Sequence, residues 1–238
     1  RGAFESALAK LVRRHPALRT VLVEKGEEHP LQRVLPPGPA ELSVVNAREW
    51  SDAELSERVL QDFRRIFDLS RPLFRVSLFR RENGDIILFT VHHLMIDARS
   101  LELCLEDLKV FYAAELRNAE AVLPPVTVGY REFVEAEAAL LAGPKSGELW
   151  KYWTTILQGE LPVLQLPSAL KRPEVLLPHG DGVPLEFEPG LLAEVQKAAR
   201  ECGVTSYSFL LACYRTVLHR YTGQEDILIG TSVSGRLN

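Results

Sequence analysis

Phe4, Leu8, Leu11 and Val12 fall three or four positions apart with charged side chains between them, a spacing that predicts an amphipathic helix running back to the first residue without an N-cap signal. A chain that opens inside such a stripe reads as cut from something longer. Residues 18–23 predict a strand, and Pro36-Pro37-Gly38-Pro39 predicts a loop. Ser51 followed three residues later by Glu54 matches a capping box. Leu55, Val59, Phe63, Ile66 and Phe67 then share one face of a helix predicted over 52–67.

Two strand-like runs, 74–80 and 86–91, flank Glu82-Asn83-Gly84-Asp85, whose Asn-Gly pair tolerates the positive φ angles of a tight turn; the pattern predicts a β-hairpin. The first run alternates Phe74, Val76 and Leu78 with Arg75, Ser77 and Phe79, so one face is mostly polar. The second is apolar throughout, which predicts a central strand covered on both faces. It leads into His92-His93-Leu94-Met95-Ile96-Asp97-Ala98-Arg99-Ser100. Leu101, Leu105, Leu108, Tyr112 and Leu116 then mark a helix capped near Asp97 to Ser100.

Helices are predicted over 130–141 and 147–158, the second closing at Gly159 and carrying Trp150, Tyr152 and Trp153 as packing residues rather than a substrate platform. Pro162, Pro167, Pro173, Pro178 and Pro184 break the segment 161–184 too often for a helix, which makes it a connector between lobes. Beyond it the pattern predicts a strand over 183–188, helices over 190–202 and 206–221, and a strand over 226–232. The fold class is therefore α/β (α+β). The expected division is a first lobe over 1–165, a connector over 166–184, and the beginning of a second, incomplete lobe over 185–238.

Composition narrows the functions this chain can have. With 238 residues and 46% hydrophobic composition it can bury a substantial core. Its net charge of -4, with Lys and Arg scattered among Asp and Glu, supplies no basic stripe for nucleic acid. The longest apolar runs, such as Ile86 to Val91 and Phe209 to Cys213, fall far short of the roughly 20 residues a membrane helix needs. The first residues lack a signal-peptide pattern, and Cys104, Cys202 and Cys213 form no CxxC spacing, so buried thiols in a reducing cytoplasm are expected.

The chemistry-bearing residues concentrate after the second hairpin strand. If that strand continued through them, His92 and His93 would point to opposite faces, so one of the pair is structural. His93, four residues before Asp97, lies where strand gives way to helix, a place from which an imidazole can project and accept a proton at neutral pH. A satisfied polar histidine at a strand end is the competing reading of the same residue. A metal site is not expected, because no third ligand has matching spacing. Gly230-Thr231-Ser232-Val233-Ser234 is near but not equal to the G-x-S-x-G elbow of serine hydrolases.

Residues 90–100 resemble the His-His-x-x-x-Asp-Gly signature of nonribosomal peptide synthetase condensation domains, within the chloramphenicol acetyltransferase-like superfamily. His15-Pro16-Ala17-Leu18-Arg19-Thr20 resembles the family's His-x-x-Leu-Arg segment, and Tyr152-Trp153 to Gly159, with Leu161-Pro162 and Leu166-Pro167, its Tyr-Trp-x-x-x-Leu-x-Gly and Leu-Pro stretch. The run from His219 to Arg236 resembles its late Gly-Thr-Pro-x-x-x-Arg motif. Ala98 stands where the family has Gly, so a positive-φ backbone there would be strained by roughly 1 kcal/mol. The family's Ser-x-Ala-Gln-x-Arg-x-Trp stretch and most of its second lobe have no counterpart in these residues.

The resemblance implies a chloramphenicol acetyltransferase-like lobe, a mixed sheet covered by helices, followed by the start of a similar lobe. It implies an acyltransferase that joins a donor acyl or peptidyl thioester to an acceptor aminoacyl thioester as an amide, in a tunnel between the lobes. By the family match His93 is the catalytic imidazole. His92, Asp97, Ala98 and Arg236 are structural at the site, with an Asp97–Arg236 ion pair expected, and Ser232 and Ser234 line the cleft. No metal and no resident cofactor are implied; phosphopantetheine arrives on upstream donor and downstream acceptor carrier proteins. An adjoining adenylation domain and the remainder of the second lobe are the other expected partners. An epimerisation domain of the same superfamily, or a noncatalytic scaffold that recruits a partner, are the alternative readings.

Overall fold

The structure, a computed structural model, describes residues 2–23, 30–168, 175 and 182–233. By contacts the chain divides into two compact units, residues 1–139 and 140–238.

The first unit is built on a three-stranded mixed sheet. Helix α1 (Gly2–Arg14) leads through a 3-10 turn (Pro16–Arg19) into β1 (Thr20–Val23), which pairs antiparallel with β2 (Leu31–Val34) in a separate ribbon. The strand expected from residue 18 starts at Thr20, because Pro16 opens the 3-10 turn and Leu18 is buried within it. Then come β3 (Leu42–Asn46), α2 (Asp52–Phe63), β4 (Phe74–Arg80), β5 (Ile86–Val91), α3 (Ala98–Leu116) and α4 (Tyr130–Ala142). The sheet order is β3-β4-β5, with β3 parallel and β5 antiparallel to β4. The hairpin strands have the ranges expected from sequence, and Gly84 in the turn takes φ 124°, a region closed to most side chains.

One expectation is overturned. Among the described residues β4, not β5, is the central strand, and β5 is an edge whose Ile87 is 49% exposed. The reason lies in the side chains that made β4 look half-polar. Residues Phe74 to Phe79 are all buried, and Arg75 and Ser77 find polar partners on the α2 side of the sheet. The Arg75 Nη2 donates to the carbonyls of Asp62 and Arg65 at 2.9 and 2.6 Å, and the Ser77 hydroxyl donates to the Asp62 carboxylate. Burial of polar groups is tolerated where such bonds are made.

Opposite faces of the sheet thus carry different cores. Phe74 and Val76 pack with Phe4, Leu8, Leu11 and Leu18 and with Cys104 and Leu108 of α3. Phe79 packs with Ala47 and Leu55, flanked by Trp50, Val59 and Leu88. Helix α2 begins with the expected capping box between Ser51 and Glu54 but ends at Phe63, short of the expected residue 67. Ile66 is left 92% exposed, and Phe67 turns toward Arg75 instead, its ring 4.0 Å from the guanidinium carbon.

The second unit holds α5 (Lys145–Ile156), α6 (Leu191–Glu201) and α7 (Ser206–Thr222), in agreement with the helical patterns, and α7 stops at Gly223 with φ 70°. Its described residues bury only Ala199 and Leu218 among hydrophobics. Trp150, Tyr152 and Trp153, expected to pack, are exposed, Trp150 by 72%. The strands expected over 183–188 and 226–232 are irregular instead, since no described strand lies alongside to complete a ladder. Gln224 ties residues 163–165 to the end of α7, its side chain accepting from the Gln165 amide at 2.8 Å and donating to the Val163 carbonyl at 3.1 Å.

Burial raises the Cys104 thiol pKa to about 11, helped by the Asp107 carboxylate, so this thiol stays protonated at neutral pH. A disulfide-exchange reagent at pH 8 is expected to modify the exposed Cys202 and Cys213 in the folded protein and to spare Cys104 until denaturant is added. In the helix–sheet core, Leu8→Ala is expected to cost about 2–5 kcal/mol in urea denaturation, while Ile66→Ala leaves stability within about 0.5 kcal/mol.

Candidate active site

Strand β5 ends at Val91, and the next residues form a tight turn that delivers the chain to α3. The turn is closed by the Met95 amide donating to the His92 carbonyl at 3.0 Å. His92 is fixed at further points: its own amide donates to the Leu73 carbonyl at 2.9 Å, and its Nδ1 accepts the Leu94 amide at 3.1 Å. An Nδ1 that accepts places the neutral ring's proton on Nε2. The half-buried ring stands edge-on to Phe67, with centroids 5.8 Å apart.

His93, one residue on, is exposed, and its ring makes no hydrogen bond among the described residues. The two histidines therefore differ in their surroundings. One is saturated with contacts, and the other presents a free imidazole.

Asp97 is the N-cap of α3, its carboxylate accepting the Ser100 amide at 2.8 Å. Ala98 opens the helix itself, and among the described non-glycine residues only Asn118 has a positive φ. The strain anticipated for alanine at this position is absent, because the backbone is already helical there. The far side of α3 is anchored to α1: Asp107 Oδ2 lies 2.8 Å from both the Arg14 Nε and the His15 Nε2. The first residue of the His-x-x-Leu-Arg segment thus holds the helix that Asp97 caps.

The structure brings His92, His93, Asp97 and Ala98 together in one strand–turn–helix passage of the first unit. Ser232 is exposed in irregular chain of the second unit. Ser234 and Arg236, and with them the expected Asp97–Arg236 pair, lie outside the described residues. Two residues that sequence reasoning passed over are linked to His92: Phe67 packs against its ring, and Arg75 packs against Phe67. Their signal was faint: an aromatic at the end of a helical stripe and an arginine in the middle of a strand. No group of three His, Cys, Asp or Glu among the described residues could hold a metal. No helix among them is long and apolar enough to cross a membrane.

Residues 1–238 match the model of the family described as Condensation domain, and the chain belongs to this condensation-domain family of nonribosomal peptide synthetases. It is 34% identical over 236 residues to Surfactin synthase subunit 1 of Bacillus subtilis (strain 168), covering 98% of this chain and 6% of that one. It is 32% identical over 240 residues to Phosphinothricin tripeptide synthetase PhsC of Streptomyces viridochromogenes, covering 98% and 22%. The chain therefore spans a small part of these curated relatives.

Among solved structures it resembles the SgcC5 protein from Streptomyces globisporus with a TM-score of 0.73 at 26% identity, covering 100% of this chain and 54% of that one. The first condensation domain of the CDA synthetase matches with a TM-score of 0.75 at 21% identity, covering 95% and 55%, a likeness of fold alone. The fold is the chloramphenicol acetyltransferase-like one, with the mixed sheet and helices expected from sequence. Condensation domains of such synthetases work with carrier and adenylation domains.

Because Ala98 already sits in helical backbone, Ala98→Gly is expected to lower stability by about 0.5–1 kcal/mol in urea denaturation, through the added freedom of the unfolded chain. A rise in stability would reveal strain at this residue.

Proposed function

We propose that the chain is the catalytic part of an amide-forming condensation domain, with His93 as its acid–base residue. The observation that carries this reading is the contrast within the histidine pair: His93 is exposed and unbonded beside a neighbour whose bonds hold the turn rigid. A base must have its nitrogen free to meet the substrate, and its loop must keep that nitrogen in place.

In the proposed reaction the acceptor α-amine, carried on phosphopantetheine, attacks the thioester carbonyl of the donor. The C–N bond forms as the C–S bond breaks, the amine surrenders a proton through His93, and the donor carrier's thiol leaves protonated. His93 orients the amine and takes up its proton as positive charge develops on nitrogen. The chain needs no cofactor of its own in this scheme, since both reactants arrive tethered to carrier proteins. Asp97 serves as the cap that fixes the start of α3, and we assign it Arg236 as a further, ionic partner, with Ser232 and Ser234 lining the substrate passage. Residues 1–165 form the first lobe in this proposal, 166–184 the connector, and 185–238 the beginning of the second lobe.

The test uses the complete synthetase module with donor- and acceptor-loaded carrier proteins, following dipeptidyl thioester by mass spectrometry. The wild-type protein is expected to form it, and His93→Ala to lower kcat by about 10²–10⁴. An undiminished rate in His93→Ala removes the proposed role. Inversion of the donor α-carbon without amide formation would identify an epimerase, and stable carrier binding with neither product a scaffold.

A further inference from the structure

Arg75 is 3% exposed in the middle of β4, and its burial is poorly repaid as a matter of stability. Loss of solvation pulls its pKa down, with the Arg65 cation adding to the effect. Its Nε, and the Thr90 hydroxyl of its partner on β5, are buried without a hydrogen bond. An apolar side chain of similar size would fill the same space at lower cost. A buried cation kept on such terms calls for an explanation in what its guanidinium holds.

It holds two things. Its Nη2 gathers the carbonyls that end α2, those of Asp62, Phe63 and Arg65 at 2.9, 3.5 and 2.6 Å, and its guanidinium carbon lies over the Phe67 ring, 4.0 Å from the centroid. Phe67 in turn meets the His92 ring at an interplanar angle of 74°. His92 receives the amides of Leu94, on Nδ1, and Met95, on its carbonyl, and His93 lies in the chain between His92 and these two donors. Turning the His92 ring would break the bond to Leu94, and the Phe67 ring packs against it in an edge-to-face contact.

We infer that Phe67 and Arg75 are positioning residues: Arg75 seats the Phe67 ring on the end of α2, and Phe67 locks the His92 imidazole and so the turn that presents His93. The inference rests on the proposed role of His93 and adds to it two side chains that touch neither substrate nor His93.

The experiment compares Phe67→Leu, Phe67→Tyr and Arg75→Lys with wild type and His93→Ala in the complete synthetase module. It measures kcat and KM for both loaded carrier proteins and normalises them to folded protein. Phe67→Leu removes the aromatic ring and Arg75→Lys removes the planar fork, so each is expected to lower kcat by about tenfold or more with KM unchanged. Phe67→Tyr keeps the ring and is expected to retain kcat within about twofold, a rescue that a simple filling role would not require. If Arg75→Lys does not accumulate as folded protein, the two Phe67 variants decide. A His93-dependent reaction indifferent to Phe67→Leu, or slowed equally by Phe67→Tyr, overturns the inference and leaves the proposed function standing. Equal rates for wild type and His93→Ala overturn both.

Discussion

Strand β4 can be covered on both faces only because the polar side chains it turns toward α2 are met there. Arg75 reaches the carbonyls at the end of the helix, and Ser77 reaches the carboxylate of Asp62. Without those partners the α2 face of β4 would have to open to water, and Phe79 and Leu55 would lose the surface between them. The same bonds account for where α2 stops. A guanidinium that accepts the burden of the terminal carbonyls lets the chain leave the helix at Phe63 and bring Phe67 back over the sheet.

From this arrangement the geometry of the histidine turn follows. The α1 side of the sheet supplies a conventional apolar core, and α3 is pinned to α1 by Asp107 bridging Arg14 and His15. The α2 side supplies the back wall of His92. The passage from β5 to α3 is therefore held at its strand end by the ladder bond from His92 to Leu73 and at its helix end by the Asp97 cap. Residues between two such fixed points have little freedom, which is the condition for a side chain to be presented in one place.

What the sequence disclosed was what is decided locally. The capping box at Ser51 and Glu54, the Asn-Gly turn, the amphipathic stripe of α1 and the cap at Asp97 depend on residues within a few positions of one another, and each was readable in place. The ordered family motifs likewise carried the family and the fold. The rank of β4 and β5 in the sheet was misread because the satisfaction of Arg75 and Ser77 comes from residues ten to fifteen positions away, which no alternation pattern records. The strands expected over 183–188 and 226–232 failed for a related reason: an extended run becomes a strand only when another lies beside it, and its own side chains cannot supply that.

The pair His92 and His93 shows how two identical side chains in succession acquire different properties without any difference in their intrinsic chemistry. The backbone gives the first a ladder bond, an amide on Nδ1 and an aromatic wall, so that its ring is committed before any substrate arrives. It gives the second none of these and leaves it exposed. In the proposed reaction, a base at the first histidine would have to break the Leu94 bond that shapes the turn before its Nδ1 could take a proton. An imidazole that does no structural work can change its protonation while the loop stays still. Ala98 fits the same division, since the helix it opens needs no unusual backbone conformation.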